Sequence, residues 1–143
     1  FAAGVELFQH TCPGLVSQIE KGELDSAETR VILVDALRPM LEKNIDTVVL
    51  GCTHYPFVIP LIQQIVGKDI RVIDPAPAVA KQAKRLLEKL GMKNQPSART
   101  SIRFFTSGDV AGMKSMLPIL LGESGEVQSV VWRNDYEVEE NND

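Results

Sequence analysis

The stretch DTVVLGCTHYP, residues 46–56, decides how the chain is organised. Residues 47–50 form a short apolar run rich in β-branched side chains between Asp46 and Gly51, which predicts a strand buried on both faces. Strands of this kind are typical of parallel sheets. Pro56 stands where the next helix can begin. The stretch therefore predicts a strand, a turn and a helix in succession.

The rest of the chain repeats this alternation. Apolar spacing predicts helices from Ser26 to about Asn44, over 58–66 and over 79–90, a short helix after Asp109, and further strands over 70–73, 102–106 and 127–132. Pro39 predicts a kink or break in the first of these helices, near Leu37. The predicted class is α/β with a mainly parallel sheet, whose sites lie beyond the carboxyl ends of the strands. This rule selects residues 51–56, 74–75 and 106–109.

Composition excludes several classes of protein. The 143 residues carry a net charge of -4, without the Lys/Arg block of a nucleic-acid binder. Hydrophobic residues make up 44% and charged residues 24%, as in ordinary globular proteins. No apolar run is long enough for a membrane span, and no secretory leader is recognisable. We therefore expect a soluble, cytoplasmic protein that binds neither nucleic acid nor a membrane.

The turn after the first strand holds the densest group of reactive side chains. Cys52, Thr53 and His54 bring a thiol, a hydroxyl and an imidazole to the start of a helix. The positive end of a helix favours a thiolate, and a neighbouring histidine can move protons. A free cysteine after an apolar strand is equally consistent with a small buried residue. Tyr55 is interpreted as an aromatic side chain that covers the core.

Other motifs carry weaker signals. His10 and Cys12 could join Cys52 and His54 as zinc ligands, but one intervening residue within each pair is too few for a zinc finger. Cys12 is better interpreted as a small buried residue and His10 as a surface residue. The glycines match no nucleotide-binding motif. Residues 106–109 could bind an anion through backbone amides, although an ordinary helix cap explains them more simply.

The stretch from Asp46 to Pro56 resembles the second catalytic-cysteine motif of bacterial glutamate racemases, members of the aspartate/glutamate racemase superfamily. Supporting matches extend over nearly the whole chain. They are Cys12-Pro13, Leu15-Val16, Ile19-Glu20-Lys21-Gly22, Ile73-Asp74-Pro75-Ala76, Val79-Ala80 and Phe105-Thr106-Ser107-Gly108-Asp109. The resemblance implies the parallel-sheet α/β sandwich of that superfamily, here incomplete.

The resemblance also implies an activity. It is a cofactor-independent, two-base interconversion of L- and D-glutamate for peptidoglycan synthesis, by an enzyme that is a homodimer in its full-length form. Cys52 would be one of two catalytic cysteines, His54 its proton-transfer partner, and Thr53 a ligand of the substrate carboxylate. Glu20, which on the residues alone is a solvated carboxylate at a helix end, would assist proton transfer or orient the ammonium group. No metal is implied.

The chain departs from the family in length. Family members carry a second cysteine beside an Asn-Thr pair, and no such motif occurs here. Residues 1–74 would belong to one domain, 75–133 would return to complete the other, and 134–143 would form an acidic disordered tail. We therefore expect a fragment that is inactive alone. Its exposed apolar residues near the start would favour aggregation or dimerisation: Phe1, Ala2, Val5, Leu7 and Phe8.

Two other functions stay open at this point. The first is a single-cysteine isomerase or decarboxylase of small dicarboxylates from the same superfamily. The second is a non-catalytic module that binds small anions at Thr53 and at Ser107-Gly108. Replacement of Cys52 by Ser separates them, because ligand binding should survive in a binding module and proton exchange should vanish in an enzyme.

Overall fold

A computed structural model describes residues 4–94, 101–134 and 137–140 of the chain. Its helices are α1 (Leu15–Glu20), α2 (Ala27–Leu41), the 3-10 helix Tyr55–Val58, α3 (Ile59–Val66), α4 (Ala76–Lys89) and α5 (Val110–Leu121). Its strands are β1 (Thr47–Val49), β2 (Arg71–Ile73), β3 (Phe104–Thr106), β4 (Val127–Trp132) and β5 (Val138–Glu140). Across the described residues, no helix has both the length and the apolar character to cross a bilayer.

The chain divides into two compact units, residues 1–93 and 94–143. In the first, β1 and β2 pair in parallel, with Val49 opposite Ile73. In the second, β3 and β4 pair in parallel and β5 runs antiparallel to β4. The α/β class with parallel strands is confirmed, in two small sheets. The assignment of residues 1–74 and 75–133 to two domains of a larger enzyme stays a prediction.

The core of the first unit lies between its helices and the β1–β2 pair. Helix α1 packs on α2 and on the 3-10 helix, and α2 packs on α3. The fully buried side chains share an aliphatic or β-branched character, which suits close packing. They are Leu15, Ile19, Thr29, Leu33, Val58 and Leu61. This packing brings the end of α1 against the turn that follows β1.

Helix α2 follows its sequence signals closely. Ser26 begins it, because its hydroxyl accepts a hydrogen bond from the Thr29 amide at 3.2 Å. The helix has no break near Leu37, because it continues through Pro39 to Leu41. Pro39 lies in the last turn and is exposed, so its missing N–H removes one hydrogen bond at the end of the helix.

Two further predictions differ from the structure, and a third is confirmed with an addition. Val49 is 61% exposed, so β1 is not buried on both faces. The helix predicted over 58–66 is α3 to within one residue, and the 3-10 helix Tyr55–Val58 precedes it. The acidic tail contains β5, because backbone pairing with β4 needs no apolar side chains. Residues 135–136 and 141–143 of that tail, and Phe1 and Ala2, lie outside the described residues.

Helix α4 forms over the predicted positions but buries none of its residues. Its apolar face carries Val79, Leu86, Leu87 and Leu90, which are 43% to 66% exposed. Val5 and Leu7 are exposed as well, as expected for the apolar surface near the start of the chain, whereas Phe8 is half-buried. The chain therefore exposes an amphipathic helix together with apolar side chains that most monomeric proteins cover.

Leu61 is buried and Leu86 is exposed, so replacement by alanine should lower the free energy of unfolding by different amounts at the two positions. Leu61→Ala should lower the free energy of unfolding by about 2–5 kcal/mol, because Leu61 is 2% exposed and its removal leaves a cavity. Leu86→Ala should change it by less than about 0.5 kcal/mol, because Leu86 is 48% exposed. Urea denaturation followed by circular dichroism measures both. Equal losses for the two variants would contradict the exposed position of α4.

Candidate active site

The candidate site begins where β1 ends. The Leu50 amide donates to the Ile73 carbonyl at 3.0 Å, which continues the parallel pairing one residue beyond β1. The turns over 51–56 and 74–75 therefore leave the sheet at the same edge. Leu50 is 4% exposed and anchors the first turn in the core. In α/β proteins, ligands bind at the carboxyl ends of the parallel strands, which is the edge of the sheet described here.

Backbone hydrogen bonds hold the turn after Leu50. The Tyr55 amide donates to the Cys52 carbonyl at 3.3 Å, and the Phe57 amide donates to the His54 carbonyl at 3.2 Å. Pro56 fits the first turn of the 3-10 helix, where its missing N–H costs no internal bond. Cys52 and His54 are half-buried and Thr53 is exposed. The turn therefore offers all three predicted side chains to one accessible region.

Glu20 joins this region from the last residue of α1. Its carboxylate lies 3.2 Å from Nε2 of His54, and the side chains are 61% and 35% exposed. The Thr53 hydroxyl lies 3.5 Å from Nδ1 on the other side of the ring. A carboxylate favours the tautomer that carries its proton on Nε2, which leaves Nδ1 to accept from Thr53. An exposed pair contributes little stability, so its effect is to orient the imidazole.

Cys12 and Tyr55 also belong to this region, which the residue pattern did not predict. Burial raises the pKa of the Cys12 thiol, a hydrogen bond with Tyr55 lowers it, and the charge of Cys52 raises it. Burial likewise raises the pKa of the Tyr55 hydroxyl, with further contributions from the charges of both cysteines. Tyr55 is half-buried in the 3-10 helix that packs against α1, and its interpretation as an aromatic side chain that covers the core stays a prediction. Cys12 is a free thiol and is half-buried, so it is less buried than its interpretation as a small buried residue predicted.

At the other predicted strand ends, side chains accept hydrogen bonds from nearby backbone amides, and Asp109 is the N-cap of α5. Asp74 accepts a hydrogen bond from the Ala76 amide at 2.9 Å, and Asp109 accepts one from the Ala111 amide at 3.0 Å. The Thr106 hydroxyl accepts from the Gly108 amide at 3.0 Å. The side chains of Thr106 and Asp109 therefore occupy backbone donors that an anion would need. This agrees with the simpler interpretation of residues 106–109 as a cap.

The zinc hypothesis gains no support from the geometry. Among the residues that the structure describes, no three His, Cys, Asp or Glu side chains come together as a metal site. His10 is exposed at the surface, as expected, and lines a shallow hollow with Asp35 of α2. His54 instead faces the Glu20 carboxylate.

A known protein family matches this chain. The family described as Asp/Glu/Hydantoin racemase matches residues 5–83, which is more than half of the chain and includes Cys12, Glu20 and the turn with Cys52. The chain belongs to this racemase family. The resemblance found in the sequence motif is thereby confirmed at the level of the family.

The similar curated proteins are glutamate racemases. That of Stutzerimonas stutzeri is 45% identical over 128 residues, which cover 90% of this chain and 48% of the relative. That of Pseudomonas aeruginosa strain PAO1 is 43% identical over 131 residues, which cover 92% of this chain and 49% of the relative. The chain therefore spans about half the length of the curated relatives it matches.

Solved structures give the same result. A glutamate racemase isoform from Bacillus anthracis superposes with a TM-score of 0.80 at 30% identity, over 90% of this chain and 48% of that protein. The Francisella tularensis glutamate racemase in complex with D-glutamate superposes with a TM-score of 0.77 at 26% identity, over 89% and 48%. The fold of this chain is thus that of about half of a glutamate racemase.

Proposed function

We propose that this chain supplies one half of a glutamate racemase site, with Cys52 as one of two cysteines that interconvert L- and D-glutamate. The observation that carries the proposal is the turn after β1, where Cys52 lies beside a histidine oriented by a carboxylate 3.2 Å away. Family membership and the 45% identity to a named glutamate racemase support it. The reaction is placed in the cytoplasm, where D-glutamate would enter peptidoglycan synthesis, and needs no cofactor.

Proton transfer in this proposal uses Cys52 in both directions. As a thiolate it removes the Cα proton from one enantiomer, and as a thiol it returns a proton to the same face when the reaction runs backwards. A second acid must lie on the opposite face of Cα, because inversion requires that one proton leaves from one face and another proton is added to the other face. A pair of thiols suits a reversible reaction, since each serves as acid in one direction and base in the other.

The proposed role of His54 follows from its surroundings. Its ring lies between the Thr53 hydroxyl and the Glu20 carboxylate, both on the accessible side of the turn. An imidazole held in this way can exchange protons with a neighbouring thiol or with the substrate ammonium group. Glu20 is proposed to hold the ring and to balance the positive charge that His54 gains when it takes a proton.

Substrate binding is assigned to Thr53, with Cys52 and His54 beside it. Thr53 is exposed at the edge of the sheet, so its hydroxyl and backbone amide are accessible to a carboxylate. The part of the relatives that this chain does not match is proposed to supply the second acid and the remaining substrate contacts, since the chain spans 48% of the first of them. In that longer form we propose a homodimer.

A chimera tests the proposal directly. The 128-residue matched segment of the Stutzerimonas stutzeri racemase is replaced by the corresponding residues of this chain. The Cα hydrogen of each glutamate enantiomer is then followed by proton NMR in heavy water, and inversion by chiral chromatography. We expect exchange and inversion of both enantiomers without any added cofactor.

Controls make the result specific. The unaltered relative shows that the assay works, and circular dichroism shows that the chimera folds. A folded chimera that binds D-glutamate without exchange would favour the non-catalytic anion-binding module. A folded chimera that acts on another small dicarboxylate but not on glutamate would favour the single-cysteine isomerase or decarboxylase. Either result would overturn the proposal.

A further inference from the structure

We propose that one face of α4 is a docking surface for the part of a racemase that this chain does not match. This surface, the α4 face, consists of Val79, Ala83, Leu86, Leu87 and Leu90, the last being the C-cap of the helix. The inference rests on one element of the proposed function, namely that this chain is half of a longer protein, and not on catalysis. It names a surface through which the two halves join.

The sequence of α4 separates apolar from charged side chains. The five residues of the α4 face recur at steps of three and four positions, so they share one side of the helix. The charged residues occupy the remaining surface: Lys81, Lys84, Arg85, Glu88 and Lys89. A helix of this length is only marginally stable alone in water, and in proteins the packing of its apolar face supplies most of its stability. The pattern therefore predicts that something covers the α4 face.

The described residues do not provide that cover. None of the residues of α4 is buried, and the large side chains of the α4 face are 43% to 66% exposed. Helix α3, which precedes α4 in the same unit, buries Leu61 and Ile62 against its neighbours. The first unit thus covers the apolar side of α3 and leaves that of α4 open to solvent.

The length of the relatives indicates what covers the α4 face. The chain covers 48% of the Stutzerimonas stutzeri racemase and 49% of that of Pseudomonas aeruginosa, so about half of each relative has no counterpart here. The family match runs from residue 5 to residue 83 and therefore includes the start of α4. Because α4 begins inside the matched family region and its apolar face is uncovered in this half, we assign the cover to the other half.

A second copy of this chain fits the α4 face less well. A helix of 14 residues is about 21 Å long. Stable complexes between separate molecules bury about 1,200–2,000 Å², and contact between two helices of this length covers only part of that area. Two parts of one chain need a smaller interface, since their covalent link gives them a high effective concentration. The α4 face therefore suits a partner on the same chain.

The test compares α4 in the free chain with α4 in the chimera described above. Hydrogen–deuterium exchange of the α4 peptides is measured in both proteins by mass spectrometry. We expect exchange to be about tenfold or more slower in the chimera, because a covered helix opens less often than an exposed one.

Substitutions on the two sides of α4 give a second measurement. Leu86→Ala should lower the Tm of the chimera by about 5 °C or more, because it leaves a cavity under the covering half, and that of the free chain by less than about 2 °C. Lys81→Ala on the charged side is the matched control and should shift either Tm by less than about 2 °C.

Several results would overturn the proposal. One is equal exchange of α4 in both proteins, or an equal effect of Leu86→Ala on both. Another is slow exchange in the free chain, which needs no folded chimera; light scattering then shows whether a second copy or the chain's own residues cover the face. A third is an α4 that stays exposed in the chimera and binds vesicles of anionic lipid through its basic residues.

These measurements need no racemase activity, so this proposal and the proposed function fail separately. An inactive chimera with a covered α4 contradicts the proposed function alone. An active chimera with an exposed α4 contradicts the docking surface alone.

Discussion

In the active chimera, Cys52→Ser is expected to lower turnover of both glutamate enantiomers by about a hundred- to ten-thousand-fold. Each direction of the proposed reaction uses the Cys52 thiol once, as the base for one enantiomer and as the acid for the other. A serine hydroxyl keeps the shape of the side chain but is a far weaker acid than a thiol. Initial rates by chiral chromatography, started from each enantiomer, measure the loss.

The matched control is Cys12→Ser, which removes the other thiol of this chain. Cys12 is half-buried and has no assigned proton-transfer role, so this variant should keep most of its turnover. If Cys52→Ser keeps its turnover within a few-fold, Cys52 does not transfer the proton. The same conclusion follows if both variants lose turnover equally.

In the Cys52→Ser variant, exchange of the Cα hydrogen with deuterium from the solvent distinguishes the two faces of Cα. With Cys52 replaced, the second base can still remove and return a proton on its own face. One enantiomer should then exchange its Cα hydrogen for deuterium slowly and without inversion, while the other should show no exchange. Slow exchange of both enantiomers to the same extent would contradict a two-base reaction.

Local sequence signals predicted the elements of the fold well. Ser26 begins α2 through a side-chain hydrogen bond, and Gly91 follows α4 with a φ of 67°, the left-handed conformation that glycine adopts easily. These signals act between neighbouring residues, so a single sequence displays them. The exposure of Val49 was not predicted, because apolar runs show what a strand can bury and not what covers it.

The same limit applies to the site. Cys52, Thr53 and His54 lie together in the sequence, and their turn could be predicted from the strand before it. The contact between Glu20 and His54 joins residues 34 positions apart and depends on how α1 packs on the 3-10 helix. Only the family resemblance suggested it. No sequence signal indicated Tyr55 beside Cys12, because Cys12-Pro13 and Tyr55-Pro56 each have ordinary local explanations.

The chain on its own is expected to leave L- and D-glutamate unconverted, even at enzyme concentrations where the chimera reaches equilibrium. Inversion needs acids on opposite faces of Cα, and the cysteines of this chain are Cys12 and Cys52. Cys52 is assigned to one face of Cα, and the acid for the opposite face is assigned to the part of the relatives that this chain does not match, since the chain covers 48% of the first of them. Burial also raises the pKa of Cys12, which opposes its use as a base.

Chiral chromatography after long incubation of the chain with each enantiomer measures this directly, with the chimera as the positive control. The result that contradicts the prediction is D-glutamate formed from L-glutamate at a rate proportional to the concentration of the chain and lost in Cys52→Ser. Product that persists in Cys52→Ser would instead reveal a contaminating racemase. A true turnover would require a second acid within this chain, and the assignment of that acid to the unmatched part of the relatives would then be wrong.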